Sequence, residues 1–379
     1  MSQKVKLGNY ISIKGGGTPN KAIEAYWNGK IPWMSVKDLK GTIVKSTINT
    51  ITPIGLANSA ANLIKKDSLI IATRMAVGKV VYAGLDTAIN QDLKAITVSP
   101  GLYHKYLFYQ LKSKRDYFER NSKGATVKGI KLDVLRDLVI LLPPLEEQKK
   151  IAAILDAADD YRQKTKALID KYDQLTQSLF LDMFGDPVTN PMGLPTIELG
   201  KACEFYSGKA WKKQELGSKG VKLIRISNLH KPNFPYWLYE GNIIERYKVE
   251  NGDLLFSWAG VQASIDVYLY KGDTGMLNQH IYNLKPKTGI EKLFLFQLLQ
   301  LNLNALRSSL GGGVGQFHLK KKDITSIKVL MPQSSDMQLY LKKVDSLNKQ
   351  KQQAEASLVK AEELFSSLLQ RAFKGDLTS

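Results

Sequence analysis

The chain has 379 residues, 44% of them hydrophobic, and carries 54 Lys+Arg against 35 Asp+Glu for a formal net charge of +19. That length exceeds one ordinary domain and can supply two cores, the apolar share excludes a disordered chain, and the charge calls for a polyanionic partner. A single cysteine, Cys203, excludes an intramolecular disulfide and a zinc cluster; no signal peptide is visible at Met1-Ser2-Gln3-Lys4 and no apolar run approaches ~18 residues, so a cytoplasmic protein without a membrane segment is expected.

In chain order, the first module (1–144) opens with the loop Gly15-Gly16-Gly17-Thr18-Pro19. Strands are predicted at 66–72 and 79–83 and a helix at 103–118. Pro143-Pro144 stops the last strand, and Glu146-Glu147 place negative charge where the dipole of the first long helix (145–185) favours it. Gly185 with Asp186-Pro187 ends that helix. The second module (186–335) repeats the plan, with strands at 252–257 and 265–270, a helix at 292–306 and a glycine-rich loop at 311–315. The second long helix (336–379) follows, with Ser335 and Gln338 at capping-box spacing and Gly375 as its stop.

The two halves are copies. Leu142-Pro143-Pro144-Leu145 and Leu330-Met331-Pro332-Gln333 start 188 residues apart and each opens a long helix. Lys6-Leu7-Gly8 matches Glu198-Leu199-Gly200, Asp38-Leu39 matches Asn228-Leu229, and Asn90-Gln91 matches Asn278-Gln279. A module repeated with divergent detail offers two related surfaces for two related tasks. The fold class is therefore α+β: two globular modules separated by a long antiparallel two-helix coiled coil, with a pseudo-twofold internal repeat.

The charge is not evenly spread. Residues 1–144 carry net +13 and 187–335 net +8, whereas 145–186 carry −3 and 336–379 carry +1. Basic globular heads and near-neutral connecting helices suit heads that grip nucleic acid and a connector that grips protein; a merely solubilising charge would be spread along the chain.

On the first long helix, apolar or small residues recur at Leu155, Ala158, Tyr161, Thr165, Leu168, Tyr172, Leu175 and Leu179. On the second they fall at Leu341, Val344, Leu347, Lys351, Ala354, Leu358, Ala361, Phe365, Leu368 and Ala372. Steps of three and four mark a heptad seam, and roughly 39 residues give a rod of about 58 Å. A rod with so narrow an apolar stripe needs a partner, and its own repeat is the nearest one. Two separate amphipathic helices, each packed on its own domain, would show a similar pattern.

Base-edge readout needs Arg for guanine and Asn or Gln for adenine, with Lys for phosphate. Candidates in the first module are Lys14, Thr18, Lys21, Lys37, Arg74, Asn90, Gln91, Lys123, Lys128 and Lys131. In the second they are Lys209, Lys212, Lys213, Arg225, Asn278, Gln279, His280, Gln316, Lys320 and Lys321. All five tryptophans (Trp27, Trp33, Trp211, Trp237, Trp258) lie in the modules, and most read as core or loop anchors.

No catalytic or metal site is expected. The glycine-rich loops lack the Lys-Ser/Thr ending of a phosphate-cradling loop, and His104, His230, His280 and His318 stand singly. Asn233-Phe234-Pro235-Tyr236 has Phe234 where the Asn/Asp-Pro-Pro-Tyr loop of amino-methyltransferases requires a proline, and Glu147-Gln148-Lys149 is explained by helix-start charge.

Module, proline-led helix, module, helix is similar to the specificity subunits of Type I restriction–modification systems. The opening Gly16-Gly17-Thr18-Pro19, Tyr26-Trp27, Ile31-Pro32-Trp33 and Asp38-Leu39 resembles that family's target-recognition domains, as do Asn90-Gln91 and Asn278-Gln279. The second module departs from the pattern with Ser207-Gly208-Lys209-Ala210-Trp211 in place of the Gly-Thr-Pro loop, and the second helix start lacks the double proline and the acidic pair. The resemblance implies two domains that each read half of a bipartite, asymmetric duplex target. It also implies a helical ruler for the unread spacer and two docked modification (methyltransferase) subunits, joined by restriction–translocation subunits. S-adenosylmethionine, ATP and Mg would then be bound by the partners and by none of this chain's residues. A stand-alone DNA-binding regulator or decoy would share these features, as would an RNA-binding or scaffolding coiled coil.

Overall fold

The computed structural model describes residues 3–124, 128–231, 233–287, 289–309 and 317–374. Contacts group the chain into two units, Met1–Ala167 with Glu355–Ser379, and Leu168–Ala354. Each long helix, Leu145–Phe184 and Ser334–Lys374, gives one half to each unit. The loop 311–315, Gln316, Gly375 and Asp376 lie outside the described residues.

The first unit holds two large sheets, beside a two-stranded one that pairs Gln3–Lys6 with Val139–Leu142. One runs Ile11–Gly15, Leu93–Val98, Leu69–Ala72, Val80–Ala83, Ile43–Val44, antiparallel except for its last pair. The other runs Asn49–Ile51, Trp27–Met34, Thr87–Ile89, Asn62–Ile64, with a parallel pair at its centre. Leu69–Ala72 reads as a continuous apolar run because it is buried on both faces. Leu69 and Ile71 join a core with Tyr106, Leu107 and Phe118, while Ile70 and Ala72 join Met34, Val81 and Ile89.

The second unit repeats this order. Cys203–Ser207, Ile281–Pro286, Leu254–Ser257 and Asp266–Leu269 form one antiparallel sheet. Leu216–Gly217, Trp237–Tyr239, Val221–Ile224, Gly275–Leu277 and Lys248–Val249 form the other, again with a parallel pair between its third and fourth strands. Leu254 and Phe256 face one core and Leu255 the other, as in the first unit. The predicted strands and helices are all present, the helix at 103–118 in two pieces, His104–Ser113 and Arg115–Arg120. The α+β class and the internal duplication hold.

Within each unit the halves of the long helices pack antiparallel. In the first, Ile151 and Leu155, with Ala158 at the edge, share a core with Phe365 and Ala372, edged by Leu368, and Lys166 pairs with Glu362 at 2.8 Å. In the second, Phe180 and Phe184 pack with Met337, Tyr340 and Val344, with Leu179 alongside, and Lys351 pairs with Asp173 at 2.6 Å. Buried Asp159 is tolerated because Lys112 and Arg162 pair with it, and both cations lie over the Phe365 ring at 4.8 and 4.5 Å.

Of the positions predicted for the second long helix, Val344, Ala354, Ala361, Phe365 and Ala372 are buried, and Leu347 and Leu358 half-buried. The predicted seam of the first long helix needs correction. Leu168, Leu175 and Tyr161 are exposed, while Leu155 and Thr165 of the series, and Thr176 outside it, are buried. At 3.6 residues per turn, Leu168 and Leu175 lie roughly 140–160° around the helix from Leu155, whereas position 176 lies about 60° away. Burial costs the threonines little because their hydroxyls donate to the carbonyls of Tyr161 and Tyr172, at 2.8 and 2.9 Å.

A second correction concerns the start of the later helix. It begins at Ser334, and the amides of Asp336 and Met337 donate to the Gln333 carbonyl, so Ser335 lies inside the first turn and is not the cap. Gly185 ends the first long helix as expected, at φ +71°. Gln148 proves to be a clamp: fully buried, it accepts from the Tyr103 amide and donates to the carbonyls of Gly101 and Pro143, all at 2.8 Å.

Candidate nucleic-acid interface

Each unit carries a cleft built on the same hydrogen-bond frame. In the first, the parallel pairing of Trp33-Met34 with Ala88-Ile89 continues as Asn90 N–H donating to the Met34 carbonyl at 3.0 Å. In the second, Leu223-Ile224 pairs with Met276-Leu277, and Asn278 N–H donates to the Ile224 carbonyl at the same distance. The next turn is tied in both: Ser35 N–H donates to Asp38 Oδ2 at 2.7 Å, and Arg225 N–H to Asn228 Oδ1 at 3.1 Å. Thr73 N–H donates to the Asp92 carbonyl where Trp258 N–H donates to that of His280. These bonds equate Ser35 with Arg225, Asn90-Gln91-Asp92 with Asn278-Gln279-His280, and Thr73 with Trp258.

A glycine closes each frame from behind. A Cβ on Gly16 would stand 2.1 Å from the Ile89 carbonyl oxygen, and one on Gly208 2.1 Å from that of Asn278. Only a residue without a side chain lets the loops approach so closely.

The first cleft encloses about 660 Å³ and is lined by the predicted Thr18, Lys21, Lys37, Asn90 and Gln91, together with Trp27, Asn28, Trp33, Ser35, Val36, Asn49, Met75 and Asp92. Asn90 is spent locally: its side chain donates to Asp92 Oδ2 and accepts from the Asp92 amide, both at 3.1 Å. Gln91 is exposed, and the Thr18 hydroxyl donates to its Oε1. Arg74 is not among the lining residues, and pairs with Asp92, which is, at 3.5 Å. Lys123 and Lys128 are exposed on the segment that bridges back to Arg74 through Gly129, and Lys131 precedes the helix Leu132–Arg136. Lys14 lies outside the cleft, its Nζ donating to the Leu63 carbonyl.

The second cleft encloses about 440 Å³. Arg225, Asn278, Gln279 and His280 line it with Ala210, Trp211, Ile226, Ser227 and Trp237. Lys209 is neutralised by Glu215, whose hydrogen bond raises its pKa, and lies over the Trp211 ring at 4.6 Å. Lys212, Lys213, Lys320 and Lys321 are exposed, the last two at the start of the helix Lys321–Thr325. Gln316 lies outside the described residues.

Several cleft residues escaped sequence reasoning. Ser35 and Ser227 carry no signal of their own. Met75 is 67% exposed at φ +63°, a conformation that a non-glycine residue adopts at a cost. Asn28 also has positive φ, and the dipeptide Asn28-Gly29 could have marked that turn.

The clefts differ electrostatically. Where the first has the pair Arg74–Asp92, the second has Trp258 with two imidazoles, His280 at 5.1 Å and His318 at 6.0 Å between ring centroids. Burial, and then the charge of His318, hold the His280 pKa below its ordinary 6.5. A lowered value means that the fold favours the neutral ring. The contribution of His280 to stability is complete above pH about 6.5 and is lost as the pH falls through the lowered value. Urea unfolding from pH 7.5 to 5 should therefore show less acid destabilisation in His280→Gln than in the unaltered chain; equal slopes would contradict this.

By fold and site, the chain is a duplicated α+β protein whose two clefts share a frame and differ at the rim. It belongs to the family of the Type I restriction modification DNA specificity domain, whose model matches residues 2–171 and 193–358. It is 27% identical over 248 residues to the Type I restriction enzyme MjaIX specificity subunit of Methanocaldococcus jannaschii, covering 60% of this chain and 57% of that protein. It is 34% identical to the EcoR124I/EcoR124II specificity subunit of Escherichia coli over 40% of each chain. With the MjaVIII specificity subunit it shares 22% identity over 96% of its own length and 91% of the other. The fold is similar to that of the S subunit of a type I restriction–modification system from M. genitalium, with a TM-score of 0.55 and 18% identity over 98% of this chain and 96% of that one. Among the described residues no helix is long and apolar enough to cross a membrane.

Proposed function

We propose that this chain is the DNA-reading subunit of a type I restriction–modification complex, each cleft reading one half of a bipartite, asymmetric duplex target. The observation that carries this reading is the pair of clefts, identical in hydrogen-bond frame and different in side chains: Ser35, Lys37 and Asp92 in one, Arg225, Ser227 and His280 in the other. One scaffold with two rims suits two different short sequences. The net charges of +13 and +8 on residues 1–144 and 187–335 supply the phosphate attraction.

The long helices set the unread spacer and dock two modification subunits, to which restriction–translocation subunits add. Exposed apolar residues on the first helix support docking: Ile154 and Tyr161 in the first unit, Leu168 and Leu175 in the second, one per heptad. The chain itself is non-catalytic and cytoplasmic, and S-adenosylmethionine, ATP and Mg are held by the partners.

The test is methylated-base mapping of genomic DNA from cells with and without this gene, alongside co-purification of the tagged chain. A two-part asymmetric motif that disappears with the gene, and a methyltransferase subunit recovered with the chain, are expected. An unchanged methylome would refute the reading.

A further inference from the structure

Arg225 is held in an unusual way for a cation. Its guanidinium carbon lies 4.1 Å from the centre of the Trp237 ring and 5.4 Å from that of Phe234. Nη2 donates to the Pro235 carbonyl at 2.6 Å, and Nε is buried without a partner. No carboxylate oxygen lies within 4 Å of the group among the described residues. The guanidinium is partly buried, which lowers its pKa, and no anion offsets that desolvation. The arrangement is repaid when an electron-rich partner meets the free edge.

Arg225 lines the second cleft together with Asn278, Gln279 and His280. Stacking and the Pro235 bond fix the plane of the fork before any ligand arrives, which favours a partner of fixed geometry over a mobile phosphate. Guanine, with O6 and N7 side by side in the major groove, is the base edge that accepts two parallel hydrogen bonds from such a fork. In the first unit the equivalent residue is Ser35, which cannot form that pair.

We infer that Arg225 reads one guanine in the half-site bound by the second unit, and that the first unit has no counterpart at Ser35. This rests on the proposed DNA-reading role of the clefts and names the base that one of them selects.

The experiment maps methylated sites in cells that carry the intact complex with the unaltered chain, Arg225→Ala or Arg225→Lys. The unaltered chain should require G·C at one position of one half-site. Both variants should relax that position alone, with the preference for guanine falling roughly 10- to 100-fold, because lysine keeps the charge but not the fork. A melting profile of each purified variant checks folding, and if the alanine variant does not fold the lysine variant decides. Unchanged stringency at every position, with methylation either preserved or uniformly reduced, would make Arg225 a phosphate clamp or a scaffold and overturn the inference. Loss of every requirement in that half-site by a folded variant would overturn it too. If the unaltered chain directs no bipartite methylation, the underlying role fails first and the inference falls with it.

Discussion

Phe180→Ala should lower the stability of the second unit by about 3–5 kcal/mol, whereas Leu168→Ala and Leu175→Ala should each stay within about 0.5 kcal/mol of the unaltered chain. Phe180 is fully buried, with the rings of Phe184, Phe294 and Tyr340 at 5.2, 5.4 and 5.6 Å. Those three rings come from the same helix turn, from the helix Lys292–Ser309 and from the second long helix. Truncation opens a cavity that none of these packed elements can fill by itself. Leu168 and Leu175, 42% and 50% exposed, lose little packing when shortened. Urea denaturation of the three variants, followed by circular dichroism, separates the two faces of the helix. A cost at Leu175 comparable to that at Phe180 would mean that the leucine series is the buried seam after all.

Gly16→Ala should cost about 3 kcal/mol, at the upper end of the range for overpacking, and weaken binding of duplex DNA by the first unit roughly 10- to 100-fold. The added carbon would meet the carbonyl oxygens of Ile89 and Asn90 at 2.1 and 2.5 Å. Backbone cannot rotate out of the way as a flexible side chain can, so the Asn90-Gln91 loop must shift, and the bond between Thr18 and Gln91 shifts with it. Gly15→Ala is the matched control, because its Cβ would meet only the Lys94 stem, at 4.0 Å. Fluorescence anisotropy with a duplex carrying the methylated target, together with thermal unfolding, measures both effects. Equal behaviour of the two alanine variants would show that the close approach at Gly16 does not hold the cleft.

Much of the architecture is legible in the sequence. Pro143-Pro144, Gly185 and the recurring apolar positions place the first long helix at 145–185, and it runs Leu145–Phe184. The matches of Asp38-Leu39 with Asn228-Leu229 and of Asn90-Gln91 with Asn278-Gln279 proved to be matches of hydrogen-bond frame. The site was less legible. Lys14 and Lys209 have the right charge, but one reaches to the Leu63 carbonyl and the other is neutralised by Glu215. Charge is a property of a residue; its availability depends on neighbours distant in sequence.

Apolar periodicity is a local signal, because each turn of helix or pleat of strand repeats the same choice of face. For that reason the duplication, the α+β class and the two long helices can be read from the order of residues alone. Only the packing of the tertiary fold turns Thr176, outside the predicted series, inward and leaves Leu168 and Leu175 facing solvent. That Ser35, Ser227, Met75 and Trp237 line the clefts is likewise a tertiary outcome, since each cleft is assembled from segments distant in sequence. A threonine can be buried when its hydroxyl bonds to its own helix, and an arginine can be left unpaired when rings hold it. Neither compensation is visible until the neighbours are in place.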